Sequence, residues 1–344
     1  MNIQLPAEWS EQKFVQLTWP HENTDWASML DEVNTCFVNI ALEIIKREKL
    51  LIVCRNAVSV KSLFEEDIDL SKIHFVELTT NDTWARDHGG IIVFENRKPV
   101  IYDFTFNGWG MKFPANYDNL LTRQLFKRGI FGEKAVYRNC LDFVLEGGSI
   151  ESDGEGTLLT TSECLLSDNR NNKTKEEIEE KLKEFFGLKR VLWLNHGYLA
   201  GDDTDSHVDT LARFCSIDTI AYVKCDDEKD KHYLDLKIME LELQKFKTLK
   251  GKFYNLIPLP MATGVYEDGG RLPVTYANFL IINGAVLMPT YNSPKDEIAK
   301  IQLQKAFPDR EIVGINCNAL IKQRGSLHCV TMQYPINKEK ELKK

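Results

Sequence analysis

A histidine and an aspartate stand two residues apart in "SHVD" (His207, Asp209), and a cysteine, Cys329, closes the phrase "GSLHC" near the C-terminus. Two more carboxylates sit beside glycine pairs: Asp87 in "TWARDHGG" and Glu146 in "LEGGS". Singly, each has a plain reading as a surface ion pair, a turn cap or a buried thiol, free cysteine being among the most buried residue types. Together they suit one task. A guanidinium is planar and presents its N–H donors as a fork, so two carboxylates hold it best, and Asp87 and Asp209 can supply both. Once clamped, its central carbon is open to the Cys329 thiolate, a form that the cation's own charge favours. His207 can protonate departing ammonia and then activate water, while Glu146 orients and charges the imidazole. On a strand, His207 and Asp209 would share a face. Such a reaction needs no metal and no organic cofactor.

These residues fall in phrases that recur roughly every sixty residues, a period that marks arrays and ring-like repeats. The phrases are "NDTWARDHGGIIVF", "LEGGSIESDGEGTLLTT", "SHVDTLARFCSIDTIAYV", "YANFLIINGAVLMPTYN" and "GSLHCVTMQYP", marked in turn by Asp87, Glu146, His207, Asn278 and Cys329. "SDGEG" and "NG" inside two of them are hairpin signals. Between several phrases lie stretches of helical spacing, among them "TDWASMLDEVNTCFVNIALEIIKRE", "TKEEIEEKLKEFFG" and "DKHYLDLKIMELELQKFKTL". The reading is a single α/β domain spanning residues 1–344, built of about five ββα-like units closed in a ring that gathers the marker residues at its centre.

Composition narrows the partners. Of 344 residues, 27% are charged and 43% hydrophobic, the balance of an ordinary soluble globular chain. A formal net charge of -8 disfavours nucleic acid and suits a small cationic ligand. No apolar run approaches the roughly 20 residues that span a bilayer, and the N-terminus has no leader pattern, so no membrane partner and a cytoplasmic location are expected. The eight cysteines include no Cys-x-x-Cys pair, so no zinc knuckle or dithiol motif is legible.

The quoted phrases, with "LPAEW" and "TWPHENTDW" near the start, resemble those of the agmatine deiminases within the Porphyromonas-type peptidylarginine deiminase family, from about residue 5 to residue 335. The resemblance implies the pentein fold, a five-bladed pseudo-symmetric α/β propeller. It also implies hydrolysis of agmatine to N-carbamoylputrescine and ammonia through a covalent cysteine intermediate, in putrescine and polyamine biosynthesis. Carried over by motif, Cys329 is the nucleophile, His207 the acid/base, Asp87 and Asp209 the guanidinium carboxylates, Glu146 the partner of the histidine, and Trp84 a lining residue. In "GDDTDSHVD", Asp203 is the acid expected to face the agmatine amine. The chain departs from the family in having Gly89-Gly90 where many members read Gly-Pro, and Arg324-Gly325-Ser326-Leu327 where many have a glycine run. Rival readings are a deiminase of free, peptidyl or methylated arginine, a non-catalytic pentein binding module, and a general Cys-His amide hydrolase. Oligomeric state is left open, a homo-oligomer being compatible with the sequence.

Overall fold

Both hairpin signals act as read. "SDGEG" joins Ile150–Ser152 to Thr157–Thr161, and Asn283-Gly284 joins Leu280–Ile282 to Ala285–Thr290. Gly284 sits at φ 76°, a left-handed conformation that glycine adopts without steric cost. Each second strand is then followed by a helix and a further strand, which returns parallel to it. Leu30–Ile45 connects Gln12–Thr18 to Lys49–Cys54; Leu121–Lys127 connects Lys98–Thr105 to Val136–Val144; Lys175–Phe186 connects Thr157–Thr161 to Arg190–Leu194. Tyr233–Leu243 and Asp296–Ala306 do the same for Thr219–Lys224 with Asn255–Pro260 and for Ala285–Thr290 with Glu311–Asn316. The repeating unit is therefore ββαβ rather than ββα. The unread third strands are mostly edges such as Glu311–Asn316, whose half-exposed pattern carries a weaker apolar signal than the buried Thr157–Thr161 beside the centre of its sheet.

This mixed α/β chain, a computed structural model that describes residues 2–336, forms five sheets of three or four strands among the described residues, plus one small hairpin. Residue 1 and residues 337–344 of the expected domain lie outside the described residues. The last strand, Thr331–Pro335, pairs antiparallel with Gln12–Thr18, so the two ends of the chain complete one sheet. No helix among the described residues is long and apolar enough to cross a membrane.

The helices follow their local sequence. In Leu30–Ile45 the buried side chains Val33, Phe37, Ile40, Ala41 and Ile44 recur at three- and four-residue steps and form one face. Thr174 and Glu177 form a reciprocal capping box at the start of Lys175–Phe186, and Gly187, at φ 65°, ends it.

Candidate active site

The five marker residues occupy the same place in their units, on the segment just before the first strand of a sheet. Asp87 lies in the single turn Ala85–His88 ahead of Ile91–Glu95, and Glu146 precedes the turn Gly147–Ser149 ahead of Ile150–Ser152. His207 caps the turn Val208–Thr210 ahead of Ala212–Ser216; Asn278 and Cys329 each stand two residues before a strand. His207 and Asp209 are thus on a 3₁₀ turn and not on a strand, because the chain bends there before entering the sheet. They still meet over one point, Gly148. A β-carbon at Gly148 would lie 2.6 Å from His207 Nδ1, 2.8 Å from Asp87 Oδ1 and 3.1 Å from Asp209 Oδ2. Only a glycine leaves that convergence intact.

Around this point the contacts are specific. Asp87 accepts from the Gly148 N–H and from Trp109 Nε1, each at 3.1 Å, and its Oδ1 is 3.6 Å from His207 Nδ1. Asp209 accepts from His328 Nδ1 at 2.7 Å and lies 3.9 Å from the Cys329 sulfur; its Oδ1 is buried without a partner. Asn278 Oδ1 takes the backbone N–H of His328 at 2.9 Å and faces Cys329 Sγ at 3.4 Å, so it fixes the loop that carries Cys329. Both nitrogens of His207 are buried and without a hydrogen bond.

Glu146 stands differently from the expectation. Both of its oxygens accept from Arg170 Nε at 3.0 Å, and none of its hydrogen bonds goes to His207, although an oxygen of Glu146 and a nitrogen of His207 lie within 4.8 Å. Arg170 holds it in place beside the imidazole.

Burial sets the electrostatics. It pushes the Asp87 carboxyl up to about 6, helped by the charges of Asp209 and Glu146 and opposed by His207. Asp209 is equally buried, yet the hydrogen bond and charge of His328 overcome that burial and hold it below the usual carboxylate range. Burial, reinforced by Asp209 and Asp87, drives the Cys329 thiol well above its ordinary value. A site in this state keeps its thiol protonated.

Above lies a cavity of about 300 Å³ lined by Trp84, Asp87, Trp109, Asp203 and Cys329, together with Asp25, Asp82 and Phe113. A β-carbon at Gly325 would lie 2.1 Å from the Trp84 ring, so the stretch that departs from a glycine run keeps glycine where the indole needs it. Asp203 borders the cavity as expected, but its Oδ1 is engaged by Arg324 at 3.2 Å. Asp82 borders it too; its Oδ1 accepts from Trp26 Nε1 and the Thr83 N–H, and burial raises it to about 6.

Two buried groups bring three metal-ligating atoms together, Glu146 with Cys164 and His207, and Glu8 with Glu151 and His328. In each, arginine already occupies the carboxylates: Arg170 on Glu146, Arg213 on Glu8 and Glu151.

The sequence pattern of the Porphyromonas-type peptidyl-arginine deiminase family matches residues 4–335. The chain belongs to that family. It is 32% identical to the agmatine deiminase of Pseudomonas aeruginosa (strain LESB58), over 97% of this chain and 95% of the relative. Among solved structures, a cysteine-to-serine variant of C. jejuni agmatine deiminase with substrate bound is 40% identical with a TM-score of 0.90, covering 98% of both chains. A Porphyromonas gingivalis protein described provisionally as an arginine deiminase is 55% identical with a TM-score of 0.94, over 97% of this chain and 98% of that one.

Sequence reasoning missed Trp109, Arg170, Glu8 and Asp82 as parts of this site. Arg170 and Glu8 act across gaps of 24 and 320 residues, with no local pattern to betray them. Asn278 was visible as a marker by its interval, though without a role.

Proposed function

We propose that this chain hydrolyses agmatine to N-carbamoylputrescine and ammonia through a thiouronium intermediate on Cys329. The observation that carries the reading is the convergence of Cys329, Asp209, Asp87 and His207 at the end of an acidic, aromatic cavity whose thiol is disfavoured as a thiolate until a cation arrives. The agmatine deiminase relatives support agmatine as that cation.

The guanidinium would donate to Asp87 and to the free Oδ1 of Asp209, offsetting their mutual repulsion and favouring an ionised Cys329. Cys329 passes its proton to His207, the thiolate attacks the central carbon, and the electron pair of a C–N double bond moves to nitrogen. His207 delivers the proton with which that nitrogen leaves as ammonia. Now neutral, His207 takes a proton from water; the resulting hydroxide adds to the same carbon, its remaining proton is lost to solvent as the C=O forms, and the C–S bond breaks to return the thiolate and the ureido product. Glu146, held by Arg170, borders His207. Trp84 flanks the tetramethylene chain. At the far end the ammonium meets Asp82, with Asp203 beside it already sharing its charge with Arg324. The five sheets are read as the blades of a pseudo-symmetric pentein propeller in a single domain, supported by the repeated ββαβ unit and by the marker that opens each sheet.

The second reading is deimination of arginine, which the Porphyromonas gingivalis neighbour favours. Ammonia release from agmatine, free arginine and a blocked peptidyl arginine separates the two. The expected kcat/KM for agmatine is on the order of a thousandfold above arginine, because an acid-lined cavity attracts an ammonium and repels an added carboxylate. Equal efficiency would transfer the assignment to the rival. Cys329→Ala is expected to be inactive, and quenched mass spectrometry of the wild type should find the amidine adduct on Cys329.

A further inference from the structure

Beneath Asp209 and Cys329 lies a second, largely buried layer of charge, whose Glu8 and Glu151 border a separate small cavity of about 60 Å³. The layer's centre is His328, whose side chain is 1% exposed. Nδ1 faces Asp209 Oδ2 at 2.7 Å; Nε2 lies 2.8 Å from Glu8 Oε2 and 3.0 Å from Arg213 Nη2. Neither neighbour of Nε2 is free to move. Glu8 also accepts the Ile281 N–H at 2.8 Å and Arg213 Nη2 at 2.6 Å, and Arg213 Nη1 donates to the carbonyls of Ala277 and Phe279. The ring's backbone is tied to Asn278 through its N–H.

The donor and acceptor inventory settles the ring's state on one side. An ionised carboxylate only accepts, so Nδ1 carries a hydrogen directed at Asp209 whatever happens at Nε2. At Nε2 both protonation states have a partner: an imidazolium donates to Glu8, and a neutral ring accepts from Arg213. The hydrogen bond to Asp209 Oδ2 therefore persists in either form. One oxygen of Asp209, the one that lies 3.9 Å from the Cys329 sulfur, is held by His328 in either form, and the other is buried and unpartnered.

We propose that His328 is a positioning residue for Asp209: its Nδ1–H holds Oδ2, the oxygen beside the Cys329 sulfur, and so sets the orientation in which that carboxylate meets the guanidinium. The inference rests on the guanidinium clamp proposed above. It assigns His328 no contact with the substrate. The groups that face Asp209 are His207, Asp87 and Cys329 on the cavity side, and His328, Arg213 and Arg86 behind.

Two substitutions separate the edges of the ring. His328→Asn places an amide N–H near the position of Nδ1 and keeps a donor for Asp209; His328→Gln reaches toward Glu8 and gives it up. Two readouts apply. The first is the acid limb of kcat/KM for agmatine, which should move to higher pH by about 1 to 2 units in His328→Gln and by less than about half a unit in His328→Asn, since losing a charge-assisted donor raises a carboxylate's pKa. The second does not require turnover. It is the rate of Cys329 alkylation by chloroacetamidine, a cation, relative to neutral chloroacetamide. The wild-type preference for the cation should fall about tenfold or more in His328→Gln, as in Asp209→Asn, and stay within about threefold in His328→Asn. If His328→Gln does not fold, Glu8→Gln, which loosens only the far edge of the ring, should lower the preference by less than about tenfold. Equal losses in the Asn and Gln variants with an unmoved acid limb, or an unchanged cation preference in His328→Gln, overturn the proposal. A wild type that prefers the amidine but does not turn over agmatine defeats the agmatine reading and leaves the alkylation test of His328 standing.

Discussion

Asp203 and Asp209 lie six positions apart on one loop and border the same site, yet they live in different solvents. The Asp203 side chain is 34% exposed and pairs with an Arg324 that is 51% exposed, whereas Asp209 is wholly buried and bonded to His328. At the mouth, water screens the pair and replaces either partner when it is lost. On the floor, no solvent can step in, so each charge depends on its partner being present. The mouth can therefore vary in sequence and tune what enters, while the floor has to be built whole.

The largest effect should come from breaking the floor. Arg213→Met leaves Glu8 and Glu151 without their shared cation and should cost about 3 to 5 kcal/mol at neutral pH by urea unfolding, against at most about 1 kcal/mol for Arg324→Met at the mouth. Comparable losses in both would erase the distinction between the two regions.

A smaller effect, of opposite sign, is expected at Asp87. Its folded pKa of about 6 lies above the unfolded carboxylate value, so the folded state holds the proton more tightly. Relative to its protonated form, Asp87 weighs against folding increasingly as pH rises from about 4 through 6, by up to about 3 kcal/mol. Asp87→Asn should accordingly abolish activity yet raise the melting temperature of the ligand-free protein at pH 8, with the gain vanishing toward pH 4. A melting difference that does not change with pH would show that Asp87 is ionised at no cost.

The smallest effects belong to the mouth itself. Asp82→Asn should raise KM for agmatine by roughly ten- to a hundredfold, and Asp203→Asn by less than about fivefold, because Arg324 already neutralises part of its charge. The reverse ranking would place the substrate's ammonium on Asp203.

Legibility in the sequence followed the range of the interaction. The hairpin at Asn283-Gly284 and the capping box at Thr174 depend on neighbours a few residues away and were readable. So was the interval that aligned Asp87, Glu146, His207, Asn278 and Cys329, since a repeat writes its period along the chain. The step from His207 to Asp209 was misread as strand because two-residue spacing fits a strand as well as a turn, and only the path of the chain into Ala212–Ser216 decides. The attachment of Glu146 to Arg170 was invisible for a similar reason: several acids and bases of the right type were available, and nothing local chooses among them.

By itself, then, the sequence determined the groups proposed to react, their order along the chain and their recurrence, and with these the class of chemistry proposed. Tertiary structure alone decided which acid became the wet one and which the dry one. Asp209 meets Cys329 and His328 across about 120 residues, and Glu8 meets His328 across 320. Whether a carboxylate is ionised, paired or free to take a ligand depends on the water excluded and the charges gathered by such contacts, and that information resides in three-dimensional proximity rather than in spacing.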